Sequence, residues 1–145
     1  MKKQTAYLVI IALFFSFTAL GQSQELKANS AKNSETKVSL QRSIRLEKDS
    51  KPEEIIININ QNTLQIDLYI SSSISEGRLL IELHDPNDTK QGNFTLETQL
   101  NSEKKEEVTG IFQKSLKEPL PGNWKVKIIP AETSGNIHIS TNIFE

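Results

Sequence analysis

The side chains with the clearest potential for chemistry are two histidines and a group of oxygen donors near the middle of the chain. His84 and His138 are the only histidines, and the sequence contains no cysteine. A hydrolase needs a nucleophile held against a base, but no Gly-x-Ser-x-Gly turn is present to display a serine. Both histidines fall on outward-facing positions of predicted strands, which indicates surface side chains. We therefore predict that the protein is not an enzyme.

The segment from Asp85 to Thr89 places several oxygen ligands at close spacing. Such ligands suit a hard cation such as calcium, and Asp85 and Asp88 are the first candidates for binding it. The segment lacks the twelve-residue pattern of an EF-hand loop, and Asp-Pro-Asn is commonly a turn that hydrogen-bonds its own backbone. The turn is therefore the preferred interpretation, and apart from this calcium alternative we predict no cofactor.

Carbohydrate binding by a sheet generally needs exposed aromatic side chains, and this sequence offers few of them. Tyr69 lies on an outward position between Leu68 and Ile70, and Phe144 lies near the end of the sequence. The preferred interpretation of Tyr69 is an ordinary, half-covered strand residue.

The balance of charge excludes one class of partner. Removing Lys2 and Lys3 from the 17 basic residues leaves 15 against 18 acidic ones, so the remaining chain carries a net charge of −3. Nucleic-acid binders concentrate positive charge on one face. We therefore predict no nucleic-acid partner.

The first 21 residues have the organisation of a bacterial export signal. Lys2 and Lys3 form a basic start, the stretch from Ala6 to Leu20 is apolar, and Ala19 and Gly21 are small. The apolar stretch is shorter than the roughly 20 residues that cross a hydrocarbon core. We predict cleavage after Gly21, a signal peptide at 1–21, and a secreted or periplasmic protein with no membrane span after cleavage.

Residues 22–37 form a polar leader in which Leu26 is the only large apolar side chain. Such a segment buries too little surface to offset its ordering entropy. From Val38 onward apolar and polar residues alternate, which predicts strands with one buried face in a domain spanning 38–145. Arg42 interrupts the inward positions, so we place it near a sheet edge. Eight segments alternate in this way: Val38–Leu46, Ile55–Ile59, Leu64–Ile70, Leu79–Leu83, Phe94–Leu100, Val108–Leu116, Trp124–Ile128 and Ile137–Ile143.

So many one-sided strands predict an all-β domain in which two antiparallel sheets pack face to face. We predict a jelly-roll-like β-sandwich of about eight strands, with a barrel as the alternative. Trp124 is the expected anchor of its core. The predicted core residues are Leu64, Ile66, Leu68, Leu79, Ile81, Leu83, Phe94, Leu96, Phe112, Trp124, Val126 and Ile128.

Three motifs in the second half of the chain carry a family resemblance. GRLLIEL at 77–83 leads into Asp-Pro-Asn at 85–87, PGNWKVKI occupies 121–128, and GNIHI occupies 135–139. With these motifs the stretch from Leu64 onward resembles the β-sandwich accessory domains of secreted proteases, of the pre-peptidase C-terminal and proprotein-convertase P-domain type. The sequence contains no protease domain beside them. The resemblance implies a non-catalytic module that binds or stabilises.

The sequence as a whole predicts an exported, non-catalytic binding or structural module of the bacterial envelope. Its partner would be an envelope or extracellular protein, a peptide or a glycan. The alternatives are a small secreted hydrolase and a calcium-dependent carbohydrate-binding protein.

Overall fold

The computed structural model describes residues 37–99 and 106–145, and they belong to one compact unit. The predicted signal peptide lies outside these residues, as does the leader except for Lys37. The described residues contain no helix and form six strands: β1 (Lys37–Leu46), β2 (Glu53–Ile59), β3 (Gln65–His84), β4 (Lys90–Glu97), β5 (Val108–Lys117) and β6 (Gly122–Phe144). All paired strands are antiparallel. The prediction of an all-β, antiparallel fold is confirmed. No helix in the described part of the chain is long and apolar enough to span a membrane.

Two long strands form the centre of the sheet. β3 and β6 pair with each other from Gln65 opposite Phe144 to His84 opposite Lys125. β1 and β2 both pair with β6, whereas β4 and β5 both pair with β3. The strands therefore divide into a β1/β5 half, which contains the start of β3 and the end of β6, and a β2/β4 half, which contains the remaining parts of these two strands.

Both long strands change the phase of their alternation near the middle. In β3 the buried positions are even-numbered up to Ile74 and odd-numbered from Leu79 to Leu83, and His84 at the end of the strand is also buried. The register shifts between Ile74 and Leu79. In β6 the same change separates Ile128 from Ile137. A change of phase keeps the apolar side of a bent strand facing inward. The eight predicted segments are six strands, because two pairs of them continue through these bends.

The bends bring the two halves toward each other. Phe94 is paired with Ile81 and Phe112 with Ile70, positions about 36 Å apart in a straight strand. The two phenylalanine rings nevertheless stack with their centroids 5.9 Å apart. On the opposite side, an ion pair between Arg42 of β1 and Glu53 of β2 joins the halves. Arg42 thus lies on an outermost strand of the sheet.

The apolar core is one cluster that contains buried side chains of both halves. Phe94 and Phe112 are partly buried and pack against it, whereas the other predicted core residues except Leu64 are buried. Eight further apolar side chains are buried with them: Leu46, Ile57, Ile59, Ile70, Ile74, Ile137, Ile139 and Ile143.

The prediction that Leu64 lies in the core is wrong, because its side chain is 53% exposed. Leu64 precedes the first residue of β3, and its backbone bonds to Phe144 and Glu118 at the end of the sheet. Its position in the alternation points it inward, but the sheet ends there. Alternation defines a face, and coverage of that face depends on the neighbouring strands.

Ser72 is a polar residue inside this core. It is 4% exposed, and its hydroxyl has no hydrogen-bond partner within residues 37–99 and 106–145. We expect Ser72→Ala to raise the free energy of unfolding by about 1 kcal/mol, because it removes a buried and unpaired polar group. Urea unfolding measures the change, and Ser71→Ala on the opposite face is the control, expected within about 0.5 kcal/mol of wild type. A destabilised Ser72→Ala would contradict this assignment.

Candidate functional site

The outer surface of the β1/β5 half carries an unusual set of side chains. Its outward positions align in five rows across β1, β6, β3 and β5, and the row at the end of the sheet consists of Lys37, Phe144, Gln65 and Lys117. In the other four rows every position carries a hydroxyl or amide group except one isoleucine, one histidine, one arginine and one aspartate. We call the surface formed by these four rows the polar face. Its rows are Ser39, Asn142, Asp67 and Ser115; Gln41, Ser140, Tyr69 and Gln113; Ser43, His138, Ser71 and Ile111; and Arg45, Asn136, Ser73 and Thr109.

The two fully charged members of the polar face have opposite signs. Asp67 accepts hydrogen bonds from Ser115 Oγ at 2.7 Å and Gln65 Nε2 at 2.8 Å. These bonds hold the pKa of the Asp67 carboxyl below its ordinary value. Asp67 and Arg45 therefore offset each other within the four rows of the polar face, whereas Lys37 and Lys117 add positive charge in the adjoining row at the end of the sheet.

The outer surface of the β2/β4 half has a different chemistry. Its outward positions include seven charged side chains beside uncharged ones such as Ile56, Leu80 and Thr95: Glu54, Arg78, Glu82, Lys90, Glu97, Lys125 and Lys127. We call it the charged face. Lysine and glutamate are absent from the four rows of the polar face, whereas they occur on the charged face, and Lys37 and Lys117 occupy the adjoining row at the end of the sheet. Contact with water is common to all of these positions and does not explain the difference. The composition of the polar face therefore indicates a role beyond solubility.

A groove crosses the polar face. It has a volume of about 810 Å³, and its lining includes Ser43, Ser73, Ile111 and His138. Cavities that hold small molecules are commonly about 300 to 1,000 Å³. Ile111 is 64% exposed, so the groove combines an apolar side chain with hydroxyl and imidazole groups.

Within the groove Ser43 and His138 form a contact that the sequence did not reveal. Ser43 Oγ lies 3.1 Å from His138 Nδ1, which is within reach for a nucleophile and its base. Among the described residues, Ser43 is the only side chain that hydrogen-bonds the His138 ring. β6 lies between β1 and β3 at this point, so ladder pairing occupies both sides of its backbone, whereas an oxyanion hole needs N–H donors aimed at the substrate.

The prediction that His84, the other histidine, lies on the surface is wrong. It is buried, with Nε2 3.0 Å from Glu82 Oε2 and Nδ1 3.1 Å from the Asp88 carbonyl oxygen. The loop after β3 folds back and supplies the second of these contacts. His84 thus joins the loop to the charged face.

Asp85, a candidate calcium ligand, is used by the turn that follows β3. It is 4% exposed, and its Oδ1 accepts hydrogen bonds from the backbone N–H groups of Asn87 and Thr89, both at 2.9 Å. Its Oδ2 accepts another from Gln91 Nε2 at 2.8 Å. These contacts support the interpretation of the Asp-Pro-Asn segment as a turn that bonds its own backbone.

Asp88, the other candidate calcium ligand, faces two lysines. Its Oδ1 lies 3.3 Å from Lys127 Nζ and 3.4 Å from Lys125 Nζ, and these contacts lower the pKa of the Asp88 carboxyl. In the ranges 37–99 and 106–145, no three histidine, cysteine, aspartate or glutamate side chains are grouped for metal binding. A cation at Asp88 would have to displace both ammonium groups.

The Glu82 carboxyl on the charged face makes the stability of the fold depend on pH in the acid range. Its carboxyl accepts hydrogen bonds from His84 Nε2 at 3.0 Å and Lys90 Nζ at 2.9 Å, which hold the pKa of Glu82 below its ordinary value of 4.5. A carboxyl with a lowered pKa in the folded state stabilises the fold above its unfolded pKa, and that stabilisation disappears as the pH falls through the folded pKa.

We therefore expect wild type to lose more stability than Glu82→Gln between about pH 6 and pH 3. Urea midpoints measured across this range test the expectation, with Glu54→Gln on the same face as the control. Parallel pH curves for wild type and Glu82→Gln would contradict it.

Comparisons with known proteins do not show a family for this chain. No family model matches this chain, and no curated protein does. A chain of the Bacillus endospore appendages, described as a family of disulfide-linked pili, is similar at a TM-score of 0.40 and 14% identity, over 76% of this chain and 88% of that one. A chain of infectious bursal disease virus, Gt strain, is similar at 0.35 and 11%, over 78% of this chain and 38% of the viral one. The Gx strain gives 0.33 and 13%, over 77% and 36%. None of these three is a protease accessory domain, and that resemblance stays a prediction.

Part of the composition of the polar face is recognisable from the sequence. Outward residues of Val38–Leu46 and Ile137–Ile143 are serine, glutamine, asparagine, arginine and histidine, without lysine or glutamate. Tyr69 and His138 lie 69 residues apart in the sequence. Strand pairing places both on one surface, together with Gln113 and Ser43.

Proposed function

We propose that the protein is an exported, non-catalytic module of the bacterial envelope, with a jelly-roll-like β-sandwich fold, that binds its ligand on the polar face. The observation that carries the proposal is the composition of this face, where hydroxyl and amide groups replace the charged side chains found on the opposite surface. The export signal predicted at 1–21 supports the location. The stacking of Phe94 on Phe112 across the bent β3 supports the two-layer architecture.

The chemistry of the polar face favours recognition by hydrogen bonding. Serine, threonine, asparagine and glutamine side chains offer donors and acceptors without formal charge. The opposite charges of Arg45 and Asp67 offset each other within the polar face, and Lys37 and Lys117 lie outside it in the adjoining row. Binding to such a surface depends weakly on ionic strength, because there is little charge to screen. The fitting ligand is therefore rich in hydrogen-bonding groups and low in charge.

The absence of cysteine permits a direct test of this surface. Gln113→Cys places a single thiol on the polar face, and Thr95→Cys places one at an exposed position on the outer surface of the β2/β4 half. A maleimide that does not cross the cytoplasmic membrane is applied to intact producing cells and, separately, to the purified variants.

We expect both thiols to be labelled from outside the cytoplasm, because the protein is exported. In cells the thiol at position 113 should react at least about threefold more slowly than in the purified protein, because bound ligand covers it, whereas the thiol at position 95 should react equally in both settings. Equal rates at position 113 would overturn ligand binding on the polar face. Failure to label either thiol before lysis would overturn export.

A secreted hydrolase is the second candidate, because Ser43 and His138 meet in the groove. A fluorophosphonate probe that labels active serines distinguishes the two candidates. The binding module predicts no labelling of the wild-type protein. Labelling of wild type that disappears in Ser43→Ala would establish the hydrolase instead.

A further inference from the structure

The outer edge of β5 is open for pairing with another strand. β5 pairs with β3 on one side, and within the part of the chain that the structure describes no strand pairs with its other side. All ten residues of β5 pair with β3 without a shift of register, and none of them is proline. A long, unbroken edge of this kind presents backbone N–H and C=O groups that a further strand can bind.

The other outermost strands are less suited to pairing with their own copy. β2 has seven residues, and the register between β3 and β4 shifts at Leu83 and His84. Short strands and bulges protect sheet edges. β1 is as long as β5, but Lys37, Arg42 and Arg45 are its charged residues and all are positive. Two copies of β1 would therefore bring like charges together, which is destabilising.

The sequence around β5 is complementary to itself. Glu107 precedes the first residue of β5, Lys117 is the last residue, and Phe112 lies midway between them. In an antiparallel pair, residues equally distant from the centre lie opposite each other. Two copies of β5 centred on Phe112 would therefore place Glu107 of each opposite Lys117 of the other, and Val108 opposite Leu116.

We propose that β5 pairs antiparallel with β5 of a second copy, centred on Phe112, and that the protein is a two-fold symmetric dimer. Two-fold dimers are the commonest protein oligomers, because one surface patch serves both copies. The two Glu107–Lys117 pairs lie on the outer side of the sheet, since Lys117 is paired with the outward residue Gln65 and Glu107 accepts a hydrogen bond from Ser73.

The position of Lys114 favours this register over its neighbours. Lys114 points inward, and its Nζ donates a hydrogen bond to the Gln91 carbonyl oxygen at 3.0 Å. In the proposed pairing it lies opposite Gly110, which has no side chain. A shift of two residues in either direction would place it opposite Phe112 or Val108 and would break the Glu107–Lys117 pairs.

The ladder between the two copies ends at Lys117. Glu118 has a φ of 48°, and its backbone N–H donates to the Leu64 carbonyl oxygen at 2.8 Å. The chain therefore leaves the strand direction at this residue. Glu118 lies outside the ladder, so it does not come opposite the like-charged Glu106 of the second copy.

The dimer also accounts for the exposed isoleucine of the polar face. Ile111 is 64% exposed, and in the dimer it lies opposite Gln113 and diagonal to Ile111 of the second copy, within reach of both. Phe112 is partly buried and would meet Phe112 of the second copy on the inner side. Opposite residues of an antiparallel pair project to the same side, so the polar faces of the two copies would join into one surface.

Sedimentation of the purified protein between about 5 and 500 µM tests the dimer. We expect a monomer–dimer equilibrium with a Kd of about 10 to 100 µM, because one strand edge is smaller than a standard interface. Glu107→Lys and Lys117→Glu should each weaken dimerisation at least about tenfold, since each creates two like-charged pairs. The double variant restores both pairs with reversed charges, and it should dimerise within about threefold of wild type.

Two further variants complete the test. Lys37→Glu lies in the same row as Lys117 at the other edge of the sheet and changes the net charge equally, so it should dimerise like wild type. Ile111→Ser should weaken dimerisation, and its urea unfolding should match wild type because the side chain is exposed in one copy. A monomer at all concentrations, oligomers larger than a dimer, or a double variant that stays as weak as the single ones would overturn the proposal.

Maleimide labelling gives a second measurement of the same interface. Position 113 lies beside the second copy in the dimer, so Gln113→Cys should react more slowly at about 500 µM than at about 5 µM. In the Lys117→Glu background the two rates should be equal, and a concentration dependence that persists there would contradict the proposed pairing. The comparison of cells with purified protein is made in this background, so that covering by a ligand is measured without the dimer.

Discussion

Replacing Trp124 with alanine should lower the free energy of unfolding by about 3 to 5 kcal/mol. Trp124 is 4% exposed, and in the ladder it lies opposite Ile57 of β2. Its indole N–H donates a hydrogen bond to the Leu120 carbonyl oxygen at 2.8 Å. The alanine variant would leave a cavity where the β2/β4 half meets the core, and the Leu120 carbonyl would lose its donor. A domain with a total stability of about 5 to 15 kcal/mol would lose a large part of it.

Two comparison variants separate the cavity from the hydrogen bond. Trp124→Phe keeps most of the aromatic volume and loses the N–H donor, so it should cost less than the alanine variant. Leu120→Ala changes a side chain that is 49% exposed and should stay within about 0.5 kcal/mol of wild type. Urea unfolding at neutral pH measures all three. A free energy of unfolding for Trp124→Ala close to that of wild type would contradict the assignment of Trp124 as the anchor of the core.

The alternation of apolar and polar residues predicted the inward face of most strands. Trp124, Val126 and Ile128 are buried as their spacing indicated. Leu64 follows the same rule and is exposed, because it lies beyond the first residue of β3. A period of two specifies the side of the sheet on which a residue lies. The extent of the opposing layer depends on contacts distant in sequence.

The bends explain why the sequence indicated more strands than the fold contains. Ile74 and Leu79 are five residues apart, and Ile128 and Ile137 are nine apart. Because these spacings are odd, the buried positions change from even-numbered to odd-numbered residues between the two members of each pair. A break between strands would give the same pattern, so only the continuous pairing of β3 with β6 distinguishes the two.

The polar face could not be assembled from sequence, because strand order was unknown. Ser43 and His138 are 95 residues apart and become neighbours through the pairing of β1 with β6. Gln113 joins Tyr69 through the pairing of β5 with β3. Each residue was recognisable as outward-facing. Their common chemistry appears only when the four strands are placed side by side.

The second large loss of folding stability is expected when Gly77, at the bend in β3, is replaced. Its φ of 81° lies in the left-handed region that side chains disfavour. A Cβ there would lie 2.2 Å from the Glu132 carbonyl oxygen and 2.5 Å from that of Ala131. Both atoms belong to the backbone of the neighbouring bend in β6, so neither can move aside as a side-chain end would. The Gly77 carbonyl is also held by the backbone N–H of Thr98 at 3.0 Å.

We therefore expect Gly77→Ala to cost about 2 to 5 kcal/mol, combining left-handed strain with overpacking. Gly92→Ala is the matched control, since its Cβ would meet only the Phe112 ring at 3.1 Å, and that side chain can shift. Urea unfolding should place the Gly92 variant much closer to wild type. Because the bend lets one continuous strand serve both halves, a tolerated Gly77→Ala would mean that β3 and β6 can separate at this point without loss of the core. Equal costs for the two variants would assign the effect to added volume alone and not to the conformation of the bend.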